Sequence, residues 1–134
     1  MTALIKLKNI EAAGSAFPPD IRRTPIIPLA RESAEIGNER CFLKCENLQV
    51  TGAYKVRAAF TMLNALPEDA RNKGVILTSS GNFAQAFAFA GRTMGVPITV
   101  VMLDRSSPNK VKATEGHGGE VYFCGTDALE RQPT

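Results

Sequence analysis

The fold is decided by the stretch "VILTSSGNFAQAFAFAGRTMGVPITVVML", Val75 to Leu103. "VILTS" (75–79) is a short apolar run, β-branched at its start, and reads as a strand. "SGN" reads as a turn. "FAQAFAFAGRTM" (83–94) is apolar nearly all round, which predicts a buried helix. "GVPITVVML" then predicts a second strand ending at Leu103. Working outward to the C-terminal side, "SPNKVKATEGHG" predicts a helix opened by Ser107, with Pro108 at its first position and Gly116 near its end. "GEVYFCG" (119–125) predicts a third strand. The order β-α-β-α-β with short connections requires parallel pairing and right-handed crossovers. The expected fold class is α/β, an open parallel sheet with helices on both faces.

Working back towards the N-terminus, residues 1–20 predict a short helix broken at "AFPPD". "RTPIIPL" (23–29) is extended, because its two prolines cannot sit inside a helix. "RESAEIGNER" (31–40) reads as polar helix to loop, and "CFLKCEN" (41–47) as a strand with imperfect alternation. "TGAYKVRAAFTMLNAL" (51–66) is helical, with Tyr54, Val56, Ala59, Phe60, Leu63 and Leu66 on its apolar face. Pro67 ends it, and "PEDARNKG" (67–74) reads as a polar linker. "TDALERQPT" (126–134) begins another helix-like segment. No internal repeat is visible.

The 134 residues are 44% hydrophobic and 22% charged, the balance of a globular chain. The net charge of +3 is small and its basic residues are scattered, so no nucleic-acid surface is expected. No apolar run approaches the roughly 20 residues of a membrane span. Lys6, Lys8 and Glu11 interrupt the N-terminal apolar residues, unlike a signal peptide. A cytoplasmic location with reduced Cys41, Cys45 and Cys124 is expected. A zinc site is not, because Cys41 and Cys45 lack two further ligands nearby. One histidine, His117, leaves no basis for a Ser-His-Asp triad.

In an open parallel sheet, ligands bind at the carboxyl ends of the strands. The first strand of the run delivers Ser79, Ser80, Gly81 and Asn82 to that edge. The amides of Gly81, Asn82 and Phe83 would open the following helix towards a carboxylate or phosphate. Gly81 would let backbone approach the ligand closely. The plainer alternative is that Ser80 or Asn82 only caps the helix. No G-x-G-x-x-G and no P-loop motif is present. Lys55 sits among Ala53, Tyr54, Val56, Ala58 and Ala59. Such surroundings desolvate an amine and suit it to Schiff-base chemistry. An exposed first-turn lysine is the plainer alternative, and on the residues alone both stay open.

Four segments taken together resemble the fold-type II pyridoxal-phosphate (PLP) enzymes, most closely the threonine/serine dehydratase and serine racemase group. "LKCENLQVTGAYKVRAAF" is similar to the family's lysine segment, Lys-x-Glu-x-Leu-Gln followed by Thr-Gly-Ser-(Phe/Tyr)-Lys-x-Arg-Gly-Ala. "SSGNFAQAFAFAG" resembles its Ser-(Ser/Ala)-Gly-Asn-His loop, and "RTPIIPL" its Arg-Thr-Pro-Leu segment. "GVPITVVMLDRSSPNKVKATEGHGGEVYFCG" resembles the next strand, helix and strand. The match is collinear from about residue 20.

The resemblance implies that Lys55 forms the Schiff base with PLP and moves protons at the substrate's Cα. It implies that Tyr54 lies beside the cofactor and that Asn82 hydrogen-bonds its 3-hydroxyl oxygen. Ser79, Ser80, Gly81, Asn82 and Phe83 would grip the substrate carboxylate. Ser80 matches the racemases' acid/base opposite the lysine. Ala53, Ala58 and Phe83 depart from the family's Ser, Gly and His. The implied reaction is β-elimination from threonine or serine to a 2-oxo acid and ammonia. Racemisation, or a non-catalytic remnant, is the alternative.

Family subunits are considerably longer, and their Gly-rich loop for the PLP phosphate would lie beyond Thr134. The glycines 116–119 match a different turn. The chain is therefore expected to be truncated, to bind PLP weakly and to have little activity alone. Residues 1–73 would belong to the large domain and 74–134 to an incomplete small domain. Apolar surface over 20–66 would then be exposed. The full-length family implies a homo-oligomer.

Overall fold

The computed structural model describes residues 4–29, 35 and 41–126. In chain order its elements are α1 (Leu7–Ser15), β1 (Ile26–Pro28), β2 (Phe42–Lys44), a 3-10 turn (Glu46–Leu48), α2 (Lys55–Ala65), α3 (Glu68–Lys73), β3 (Val75–Thr78), α4 (Asn82–Met94), β4 (Ile98–Met102), α5 (Pro108–Gly116) and β5 (Glu120–Phe123). The polar stretch 31–40 lies outside the described residues apart from Glu35. So does all of the terminal segment except Thr126.

Strands β3, β4 and β5 pair in that order, all parallel. Val75 stands opposite Ile98, and Val100 opposite Val121. This is the α/β fold read from the alternating pattern. The register also sorts the side chains into two faces. Ile98, Val100 and Met102 are buried, and Val75, Leu77 and Val121 pack against the same core. Ile76 and Tyr122 belong to the opposite rows and are exposed.

With strands ordered β3-β4-β5, two right-handed crossovers in one direction place α4 and α5 on one side of the sheet. The two helices touch each other there.

Helix α4 is the centre of the molecule. Ala84 and every residue from Ala86 to Gly91 are buried. Small residues bring it close to its neighbours. A Cβ added at Gly91 would lie 2.1 Å from Cγ1 of Ile98 and 2.6 Å from the Val96 carbonyl oxygen. Gly95 ends the helix with φ +70°, a left-handed conformation that glycine adopts without strain.

Helix α2 packs on α4 through Val56, Ala59, Phe60 and Leu63, spaced i, i+3, i+4 and i+7. Phe60 meets Phe89 edge-on at 6.3 Å. Burial of a side chain of this size contributes roughly 1.5–3 kcal/mol. Helix α2 begins later than expected. Residues 51–53 form a turn, and Tyr54 is largely exposed instead of facing the core.

The segment 67–74 is not a linker but the short helix α3. Glu68 and Asp69 lie in its first turn and Arg71 and Lys73 in its last. That charge order matches the helix dipole.

Strands β1 and β2 form a separate antiparallel pair, with Ile27 opposite Leu43. All six of their residues are exposed. Leu7 and Ile10 of α1 are also exposed. Among the described residues of 20–66, apolar surface therefore lies open, as expected, at Ile26, Ile27, Phe42, Leu43, Leu48 and Met62, and it extends into α1. No helix among the described residues is long and apolar enough to cross a membrane.

Candidate active site

Lys55 is the first residue of α2 and is half-buried. The chain leading into it is pinned by polar contacts. Arg57, two residues on, donates from Nε to Oε2 of Glu46 and from Nη2 to Oε1, each at 2.9 Å. The same Nη2 reaches the Arg22 carbonyl oxygen at 2.9 Å. Thr24 also donates its hydroxyl to Glu46. Buried Gln49 accepts from the Arg22 N–H at 3.0 Å and donates back to the Arg22 carbonyl at 2.9 Å. "RRT", "ENLQ" and "YKVR" are thus tied together around the start of the lysine helix.

The Arg57 hydrogen bond, helped by Thr24 and the charges of Arg57 and Lys44, holds the Glu46 carboxyl below its ordinary range against the effect of burial. Sequence reading missed this clamp. Glu46 and Arg57 are 11 residues apart, and no helical or strand period joins them.

The Lys55 side chain reaches the first turn of α4. Its Nζ lies 4.9 Å from the Tyr54 ring centroid and 5.6 Å from that of Phe83. No carboxylate among the described residues pairs with it. Phe83 is the second residue of α4, directly after Asn82. The two segments singled out in sequence therefore meet in space.

The N-cap of α4 is Gly81, with no side-chain cap, so neither Ser80 nor Asn82 caps the helix. The N–H groups of Asn82 and Phe83 lie in the first turn, where no intrahelical acceptor exists. The Gly81 N–H differs from expectation: it points to the Ser79 hydroxyl at 3.4 Å. A Cβ added at Gly81 would meet no atom within 4 Å, so there is open space beside the loop. Ser80 Oγ accepts from the Ser106 hydroxyl at 2.8 Å and from the Leu103 N–H at 3.4 Å. Its hydroxyl is held towards the end of β4, and no hydrogen bond joins it to Lys55.

A family model described as pyridoxal-phosphate dependent enzyme matches residues 18–133. The catabolic L-threonine dehydratase of Staphylococcus aureus is 38% identical over 127 residues, covering 95% of this chain and 37% of its own length. The solved serine racemase of Dictyostelium discoideum is similar with a TM-score of 0.85 and 33% identity, over 96% of this chain and 42% of that one. Maize serine racemase gives a TM-score of 0.84 at 30% identity, over 95% and 38%. The chain thus spans little more than a third of the length of these relatives. It belongs to the pyridoxal-phosphate dependent enzyme family, with the fold-type II architecture.

Proposed function

We propose that these residues form the lysine side of a PLP site of the threonine/serine dehydratase type. The reaction is β-elimination from a small hydroxy amino acid to a 2-oxo acid and ammonia. The observation that carries it is the approach of the Lys55 amine to the Asn82–Phe83 start of α4, at 5.6 Å from the Phe83 ring.

The residues fit the cofactor on this side. Lys55 offers an amine with no acidic partner among the described residues, beside a loop whose Gly81 leaves open space. When bound, PLP supplies an electron sink for charge developing at the substrate's Cα. Lys55 holds the cofactor and moves the Cα proton. Tyr54 lies alongside, and the Asn82 side chain orients the cofactor's 3-oxygen. The first-turn amides of Asn82 and Phe83, with Ser79 and Gly81, bind the substrate carboxylate at the positive end of α4. Phe83 contributes its amide to that contact, so replacing the family's histidine there does not remove it.

No described residue is assigned to the cofactor's phosphate. Residues 1–73 are assigned to the large domain and 74–134 to the small one, in a homo-oligomer of the whole protein. The engagement of Ser80 with Ser106 and Leu103 favours elimination over racemisation, which would need that hydroxyl opposite the lysine.

Titration with PLP, followed by absorbance of the lysine adduct, tests the assignment. The adduct is expected with the native chain only at high PLP concentration, in keeping with weak binding, and should be lost in Lys55→Ala. Asn82→Ala should weaken binding by about 10–100-fold, the cost of one hydrogen bond to a charged oxygen. An adduct of equal strength in Lys55→Ala would overturn the assignment.

A further inference from the structure

The Lys55 ammonium lies over two aromatic rings, and one of them comes from a different element. Tyr54 is its chain neighbour, whereas Phe83 belongs to α4. Both centroids fall within the roughly 6 Å at which an ammonium is attracted to a ring face.

The Phe83 ring is braced in turn. It meets Phe87 edge-on, with centroids 4.8 Å apart and planes at 67°. Phe87 is only 3% exposed and belongs to the core. A line of contact therefore runs from the buried face of α4, through Phe87 and Phe83, to the reactive amine.

We propose that Phe83 is a positioning residue for Lys55. Its ring seats the ammonium at the mouth of the Ser79–Asn82 loop, and Phe87 fixes that ring. The role belongs to the side chain and is separate from that of the residue's amide. A ring face attracts the cation and not the neutral amine. The seat therefore aims the Lys55 side chain at the first turn of α4. This deepens the reading of Lys55 as the carbonyl-binding lysine and rests on it, but the contact can be measured without PLP.

The test uses the native chain, Phe83→Leu, Phe83→Tyr and Phe87→Leu. Lysines are methylated reductively with 13C-formaldehyde, and the Lys55 resonance is assigned through Lys55→Arg. In the native chain, ring currents should shift the Lys55 methyl signal away from those of the exposed lysines. Phe83→Leu should lose part of that shift, Phe83→Tyr should keep it, and Phe87→Leu should fall between. A folded Phe83→Leu chain with an unchanged Lys55 signal would show that Phe83 only packs on Phe87. If the shift behaves as expected but PLP is not taken up, the seat stands and the PLP assignment fails.

Discussion

Helix α4 buries Ala84 and all of Ala86–Gly91, whereas α1, with Leu7 and Ile10 among its nine residues, buries none. The first is stabilised by packing within the chain. The second lies open beside an apolar groove of about 570 Å3 that includes Ile5, Ile10, Phe17 and Ala58. Between them stands the start of α2, which is supported in both ways. Its Val56, Ala59, Phe60 and Leu63 stripe rests on α4. Its entry is held by Glu46, Arg57, Arg22 and Gln49. Lys55 is thus placed by the part of the chain whose helices share a buried core, to which α1 contributes no buried residue.

The largest effect should come from filling the closest approach in that core. Gly91→Val would drive its side chain into Ile98 and the Val96 carbonyl. The expected loss is about 3 kcal/mol or more, read from the urea midpoint. A loss under about 1 kcal/mol would mean that α4 and β4 are not held so close. Phe60→Ala, which removes the α2 contact with Phe89, should cost about 3–4 kcal/mol if the cavity stays open. It should also loosen Lys55.

The polar clamp should rank next. Arg57→Leu leaves the Glu46 carboxylate and the Arg22 carbonyl without their shared donor, for a cost of about 2 kcal/mol. Its pH signature has a definite sign. Glu46 titrates below its ordinary value of 4.5 in the fold. Its contribution is therefore present in full above that value and is lost as the pH falls from there through the lower folded value. Glu46→Gln should flatten the stability profile in that acid window and leave the neutral slope unchanged. An equally steep acid loss in Glu46→Gln would assign the titration to another group.

The smallest change is expected in α1. Ile10→Ser should alter stability by less than about 0.5 kcal/mol, because Ile10 is 61% exposed. It should reduce self-association at high concentration, measured by sedimentation, since it breaks an exposed apolar surface. A large destabilisation would show that α1 is held as firmly as α4.

What the sequence made legible follows the same division. The strands and helices from Val75 to Phe123 were readable because apolar runs, Pro108 and the glycines at 95 and 118–119 punctuate them locally. Helix α3 was missed because its residues, polar apart from Ala70, carry no apolar stripe, and only their charge order marks them. The one-sided placement of α4 and α5 depends on strand order, which no local pattern records. At the candidate site, Lys55 and the Ser79–Phe83 loop were legible as segments, and their adjacency followed from the family resemblance. The Glu46–Arg57 clamp and the engagement of Ser80 by Ser106 depend on contacts between distant segments. The Phe83 seat was hidden for another reason: a phenylalanine in an apolar helix looks like core until an amine is found over its ring.

The most direct measurement is to mix the chain with PLP, reduce with borohydride and map the modified peptide. Label concentrated on Lys55, and lost from that peptide in Lys55→Ala, is the expected result. Label spread over Lys6, Lys8, Lys44, Lys73 and Lys110 to the same extent as Lys55 would contradict the assignment of the site.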